Sequence, residues 1–114
     1  MNKPISPRTH GVLDYATVGA TLLAPRLLGF PDSAARASYA LAGSYAALSA
    51  LTDYPLSVKR AVPFKAHGAA EGLVGLALPA LPRLLGFTGH RGARNFFLGL
   101  TAVTAVVAAL TDWE

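Results

Sequence analysis

The sequence predicts an all-α chain: four transmembrane helices forming two tandem parallel-repeat hairpins, with pseudo-twofold symmetry along the membrane normal. Three observations predict it. The stretch from His10 to Phe30, HGVLDYATVGATLLAPRLLGF, recurs ungapped from His67 to Phe87 as HGAAEGLVGLALPALPRLLGF, nine of the twenty-one positions being identical and Asp14 facing Glu71. Formal charge is absent from Ala37 to Thr52 and from Asn95 to Thr111, and shorter charge-free runs cover Tyr15 to Pro25 and Gly72 to Pro82. Each copy holds an even number of helices, so both copies enter the membrane in the same sense, as in parallel repeats.

Composition agrees with this class. Charged residues make up 14% of the 114 residues and hydrophobic ones 53%, against roughly a quarter charged in an ordinary soluble domain. A seventeen-residue run such as 95–111 covers about 26 Å of helix, close to a hydrocarbon core of about 30 Å. The length suits one domain, 1–114, with repeat 1 over about 3–54 and repeat 2 over about 60–113. A water-soluble four-helix bundle is the alternative architecture.

Each copy opens on a short basic, proline-containing lead. Lys3, Ile5 and Arg8 align with Arg60, Val62 and Lys65, and such leads are expected along the membrane surface, with Ile5, Val62 and Phe64 dipping inward. The first helix is expected from about Thr9 to Leu28, with Pro25 disturbing its end, Gly29 as its C-terminal cap and Phe30 as an interfacial anchor. Asp32 or Ser33 then caps a second helix over about Ala34 to Thr52. Ser38, Ala42, Ala46 and Ala50, and likewise Ala35, Tyr39, Gly43 and Ala47, follow at four-residue spacing. Small residues so placed allow close helix approach, and this helix is expected to be the most contacted of the four.

Asp53-Tyr54-Pro55 ends that helix, and Leu56 to Lys65 links the copies. The third helix is expected from about Ala66 to Leu81, with Gly68, Gly72 and Gly75 baring one side and Pro79 and Pro82 disturbing its far end. The fourth is expected from about Ala93 to Leu110; its close, ALTDW, answers ALTDY at Ala50 to Tyr54. The distribution of Lys and Arg places both termini on the cytoplasmic side once Arg26 and Arg83 are taken as snorkelling parts of their helices.

Chemistry concentrates in His-x-x-x-acid at the head of each odd helix and Thr-Asp at the end of each even one. Residues i and i+4 share a helix face, so His10 stands beside Asp14 and His67 beside Glu71, and the hairpins return Asp53 and Asp112 to the same side. Two symmetry-related sets result. The first reading is a structural polar network, because ionisable groups near hydrocarbon must be paired. The second is a proton or cation site in which Asp14 and Glu71 titrate and the histidines relay. A metal is less expected, since the spacing matches no recognised metal motif. Arg26, Arg83, Lys59, Arg60 and Lys65 are candidates for lipid headgroups. Tyr15, Tyr54, Phe64 and Trp113 read as interfacial aromatics, and His90 as a solvated loop residue.

Several classes are excluded or disfavoured. The chain has no cysteine, hence no disulfide or thiolate chemistry. Its net charge of +4 is dispersed among short flanks, which argues against nucleic acid as partner and for anionic membrane lipids. There is no phosphate loop and no nucleophile motif, so neither an enzyme nor a cofactor is expected.

The runs GATLLAPRLLGF at Gly19 to Phe30 and GLALPALPRLLGF at Gly75 to Phe87 resemble the core of the SPW-repeat family, small bacterial integral membrane proteins made of two-helix repeats. Of the Ser-Pro-Trp triplet only Pro25 and Pro82 are kept, Ala24 and Arg26, and Leu81 and Arg83, standing in the flanking places. The resemblance implies a multi-pass protein of the bacterial inner membrane and carries no established activity. The expectation is therefore a structural or interaction protein of that membrane; the alternative is a proton or cation channel or transporter, working as a homo-oligomer because four helices enclose little volume.

Overall fold

The computed structural model describes residues 3–113. They form α1 (Pro7–Leu27), α2 (Asp32–Leu51), α3 (Phe64–Ala77), a 3-10 turn (Leu78–Ala80), α4 (Leu81–Leu84) and α5 (Arg91–Leu110), with no strand among them. The all-α architecture and the four expected helices are present, the third in two pieces joined by the 3-10 turn. α1 packs along α2, and α3 with its continuation packs along α5.

The prolines explain why the first helix stays whole and the third does not. Pro25 has no N–H to give to the Thr21 carbonyl one turn back. Ser38 of α2 supplies the missing donor, its hydroxyl reaching Thr21 O at 2.7 Å, so α1 continues to Leu27. The corresponding proline of the second copy, Pro82, frees the Leu78 carbonyl, and the α5 residue aligned with Ser38 is Phe97, which has no hydroxyl. The backbone compensates locally: Leu81 N–H bonds Leu78 O in 3-10 fashion. Pro79, which has Leu22 as its counterpart, adds a second interruption and ends the α-helix at Ala77.

Both copies then end alike. Gly29 and Gly86 take positive φ, 61° and 76°, a backbone state glycine enters without steric cost. Phe30 N–H meets Pro25 O at 3.0 Å and Phe87 N–H meets Pro82 O at 2.8 Å. Phe30 is not a free interfacial anchor; it packs on Phe96 at 5.7 Å between ring centroids, beside a core of Leu78, Phe87, Ala93, Phe97 and Leu100. This aromatic core fills one end of the bundle. Helix starts differ from expectation as well: α2 begins at Asp32 with no side-chain cap, whereas His90, expected to be merely solvated, caps α5 by accepting from Ala93 N–H at 3.0 Å.

At the other end the copies exchange their leads. Ile5 pairs in parallel with Thr111, and Val62 with Thr52. Matching bonds run Ile5 N to Leu110 O, 3.1 Å, and Val62 N to Leu51 O, 2.7 Å; Asp112 N to Ile5 O, 2.8 Å, and Asp53 N to Val62 O, 2.7 Å. Each lead is thus fastened to the even helix that enters its own histidine's site.

α1 buries seven residues and α2 five, Ala34, Ser38, Ala42, Tyr45 and Ser49, so α1 rather than α2 is the most enclosed. Of the two small-residue rows in α2, the one through Ser38 and Ala42 faces inward, whereas Tyr39, Gly43 and Ala47 are exposed. Among the described residues α5 is the one helix long and apolar enough to cross a membrane; α3 is too short, and α1 and α2 are less apolar than α5.

The glycines of α3 are not equivalent. A Cβ on Gly68 would lie 2.7 Å from Trp113 Cζ3, whereas one on Gly72 would meet nothing within 4 Å. The Trp113 ring cannot swing aside freely, because its indole N–H bonds Ala108 O at 2.9 Å and it packs on Phe64 at 4.7 Å. Gly68→Ala is therefore expected to destabilise by about 1–3 kcal/mol, and Gly72→Ala to be neutral or stabilising by up to about 1 kcal/mol, in unfolding followed by circular dichroism.

Candidate functional site

α1 and α3 each present a histidine and, four residues later, an acid to the centre of the end opposite the aromatic core. The two sets do not remain separate as expected; they merge into one ring. His10 Nε2 lies 3.3 Å from Asp14 Oδ1 and 3.1 Å from Glu71 Oε2, and His67 Nε2 lies 3.2 Å from Glu71 Oε1 and 3.0 Å from Asp14 Oδ2. Each histidine is thus nearer the acid of the other copy. All four residues are buried, both histidines completely.

Behind each ring stands a threonine from the even helix of the opposite copy. His10 Nδ1 is 2.8 Å from Thr111 Oγ1, and His67 Nδ1 is 2.6 Å from Thr52 Oγ1. The threonine hydroxyls donate to the carbonyls one turn back, Thr52 to Leu48 O at 2.6 Å and Thr111 to Val107 O. With its proton so engaged, each hydroxyl can only accept from histidine, which puts a proton on Nδ1 and turns Nε2 toward the carboxylates.

Nε2 itself meets no partner squarely. Despite the separations of 3.0–3.3 Å, His10 Nε2 and His67 Nε2 make no hydrogen bond of acceptable direction to any described residue. Each Nε2 stands within 3.0–3.3 Å of an oxygen of both carboxylates. One ligand atom from each of His10, Asp14, His67 and Glu71 can be chosen so that all four lie within 4.8 Å of one another.

Aromatic side chains close the site on the side of the leads. Trp113 and Phe64 pack against His10 at 5.0 and 5.4 Å, and Tyr54 against His67 at 5.6 Å. Tyr54 is 2% exposed and donates to Asp14 Oδ2 at 3.1 Å; burial pushes its phenol above the ordinary range, so the donor proton is retained. Tyr54, Phe64 and Trp113 are therefore walls of the site, not outward anchors. On the other side a cavity of about 20 Å³ touches Asp14 and Glu71 between Tyr45 and Thr104, room for about one water.

Asp53 and Asp112 stand outside the ring. Asp53 is exposed and pairs with Arg60 at 3.6 Å, while Asp112 is half-buried, its N–H engaged by Ile5. The repeated Thr-Asp contributes its threonine instead, the residue that the last helical turn directs inward. Arg26, Arg83, Lys59, Arg60 and Lys65 are all exposed.

Thr52→Val and Thr111→Val each remove the acceptor for a buried Nδ1–H while keeping side-chain shape. Each is expected to lower stability by about 1–3 kcal/mol, with Asp53→Asn leaving the unfolding midpoint in place; a denaturant series on the three variants measures both.

Compared with family models, with curated proteins and with solved structures, the chain matches none.

Proposed function

We propose that the chain is a multi-pass protein of the bacterial inner membrane in which the His/acid ring holds two parallel helical hairpins together, a structural or interaction role without enzymatic activity. The observation that carries this reading is the inverted distribution of polarity. His10, Asp14, Thr21, Ser38, Ser49, Thr52, His67, Glu71 and Thr111 are buried, while Leu27, Leu73, Leu76 and Leu84 are 71–80% exposed. An aqueous surface disfavours such a leucine coat, and hydrocarbon favours it. α5 adds to the argument, because 17% of its apolar span is buried, whereas an apolar helix serving as a soluble core would be mostly covered.

In this setting the polar interior joins the hairpins by hydrogen bonds and charge, as lipid provides little hydrophobic drive between helices. The pseudo-twofold axis lies along the membrane normal, and both termini face the cytoplasm. Arg26 and Arg83 at one end, and Lys59, Arg60 and Lys65 at the other, reach anionic headgroups. The resemblance to the SPW-repeat family accords with this placement.

A second reading is a proton or cation pathway through Asp14 and Glu71, assembled in a homo-oligomer. The observation favouring it is the water-sized cavity against both carboxylates, which offers one approach to an otherwise walled site.

The protein is expected to sediment with membranes and to need detergent for extraction; a monomer that stays soluble without detergent overturns the placement. Asp14→Asn with Glu71→Gln separates the two roles in liposomes. Loss of fold or assembly is the outcome of the structural role, and an intact protein that has lost a proton or cation flux is the outcome of transport.

A further inference from the structure

We infer that His10, Asp14, His67 and Glu71 form a binding site for a single divalent first-row transition-metal ion. This goes beyond the structural role proposed for the same ring and does not depend on a lipid setting. The ring is more than a group of acids. Two completely buried imidazoles each bring an Nε2 to 3.0–3.3 Å from both carboxylates without a well-directed hydrogen bond to either, a gathering of donors that hydrogen bonding within the ring does not fully use and that a cation would.

Geometry agrees. Each Nε2 lies 3.0–3.3 Å from one oxygen of each carboxylate, and with one ligand atom taken from each residue no separation exceeds 4.8 Å. A tetrahedron with ligands about 2.0 Å from the metal has edges of about 3.3 Å. An ion of that size is held once the longer separations of the set contract toward that edge.

The surroundings are those of ligands rather than of a pairing network. A metal-bound histidine donates its second ring N–H to an acceptor that fixes tautomer and orientation. Thr111 does this for His10 and Thr52 for His67, and each threonine is itself fixed by a backbone carbonyl. Tyr54 holds Asp14 in the same way. Two carboxylates and two neutral imidazoles balance a 2+ charge, which a buried site requires.

Donor chemistry sets the class. Two imidazoles with two carboxylates suit zinc, cobalt, iron or manganese, whereas calcium and magnesium prefer all-oxygen shells. The ligands escape motif recognition because each copy contributes half of the set, His-x-x-x-acid, and the other half lies fifty-seven residues away.

The test uses the full chain without an affinity tag, purified folded, stripped with a chelator and titrated with Zn²⁺ and, separately, Co²⁺. One equivalent should bind saturably with a Kd of about 1 μM or tighter, and Co²⁺ should give visible bands of a four-coordinate ion. His10→Gln and His67→Gln should abolish these bands. Thr52→Val and Thr111→Val retain all four ligands and should weaken Zn²⁺ about 10–100-fold, which keeps the inference testable where a histidine variant fails to fold; Asp53→Asn should bind as the unaltered chain does.

Folded chain without saturable uptake overturns the inference and leaves the structural role standing, as does uptake unchanged in the histidine or threonine variants. Conversely, an Asp14→Asn, Glu71→Gln protein that folds and inserts normally removes the structural role while Zn²⁺ binding by the unaltered chain persists.

Discussion

Each histidine of the ring is held by three groups from outside its own five-residue motif: the acid of the other copy, the threonine of the other copy's even helix, and an aromatic wall. This crossing determines much of the rest. It fixes how α1 and α3 face each other, requires the even helices to end where Thr52 and Thr111 reach the rings, and draws the leads across to cap those ends. A copy taken alone would bury an imidazole and a carboxylate with half their partners missing, at a cost of several kcal/mol.

The two ends of the bundle solve different problems. At the ring end the difficulty is to enclose charge, and polar residues from four helices and both copies converge on it. At the far end the difficulty is to end helices interrupted by proline. Copy one does so with a serine from the neighbouring helix, and copy two with a 3-10 turn and the phenylalanines of the core. The sequence identity of the Pro-Arg-Leu-Leu-Gly-Phe tails hides this difference, since it depends on Ser38 and Phe97, which sit in the facing helices.

The helices and their pairing into hairpins were legible because repetition, charge-free runs and turn residues are local signals. The histidines and acids were legible for the same reason, as spacing puts His10 above Asp14 and His67 above Glu71 on their helix faces. Which copy's acid meets which histidine was not, because that depends on how two helices are set against each other. Nor was the role of Thr52 and Thr111: a carboxylate next door in Asp53 and Asp112 is the more conspicuous polar group, and only the last turn of the helix decides that threonine points inward. Tyr54 and Trp113 were misjudged for a related reason. Aromatics near a span end are common outward anchors, and the glycines that make room for them indoors, Gly11 and Gly68, follow the histidines in sequence without naming what they admit.

The exchange of leads and threonines also fixes an order of events. His10 finds its threonine 101 residues further along the chain, and Lys3 reaches the Ala109 carbonyl across 106. His67 meets Thr52 across only 15. Thus, during synthesis, the second histidine has Thr52 and Asp14 before it as soon as it emerges, whereas the first, though it meets Glu71 once α3 exists, waits for its threonine until α5 has been made. The acceptor behind His10 is the last part of the site to exist, and until it arrives the earliest-made helix carries one buried ring nitrogen unmatched.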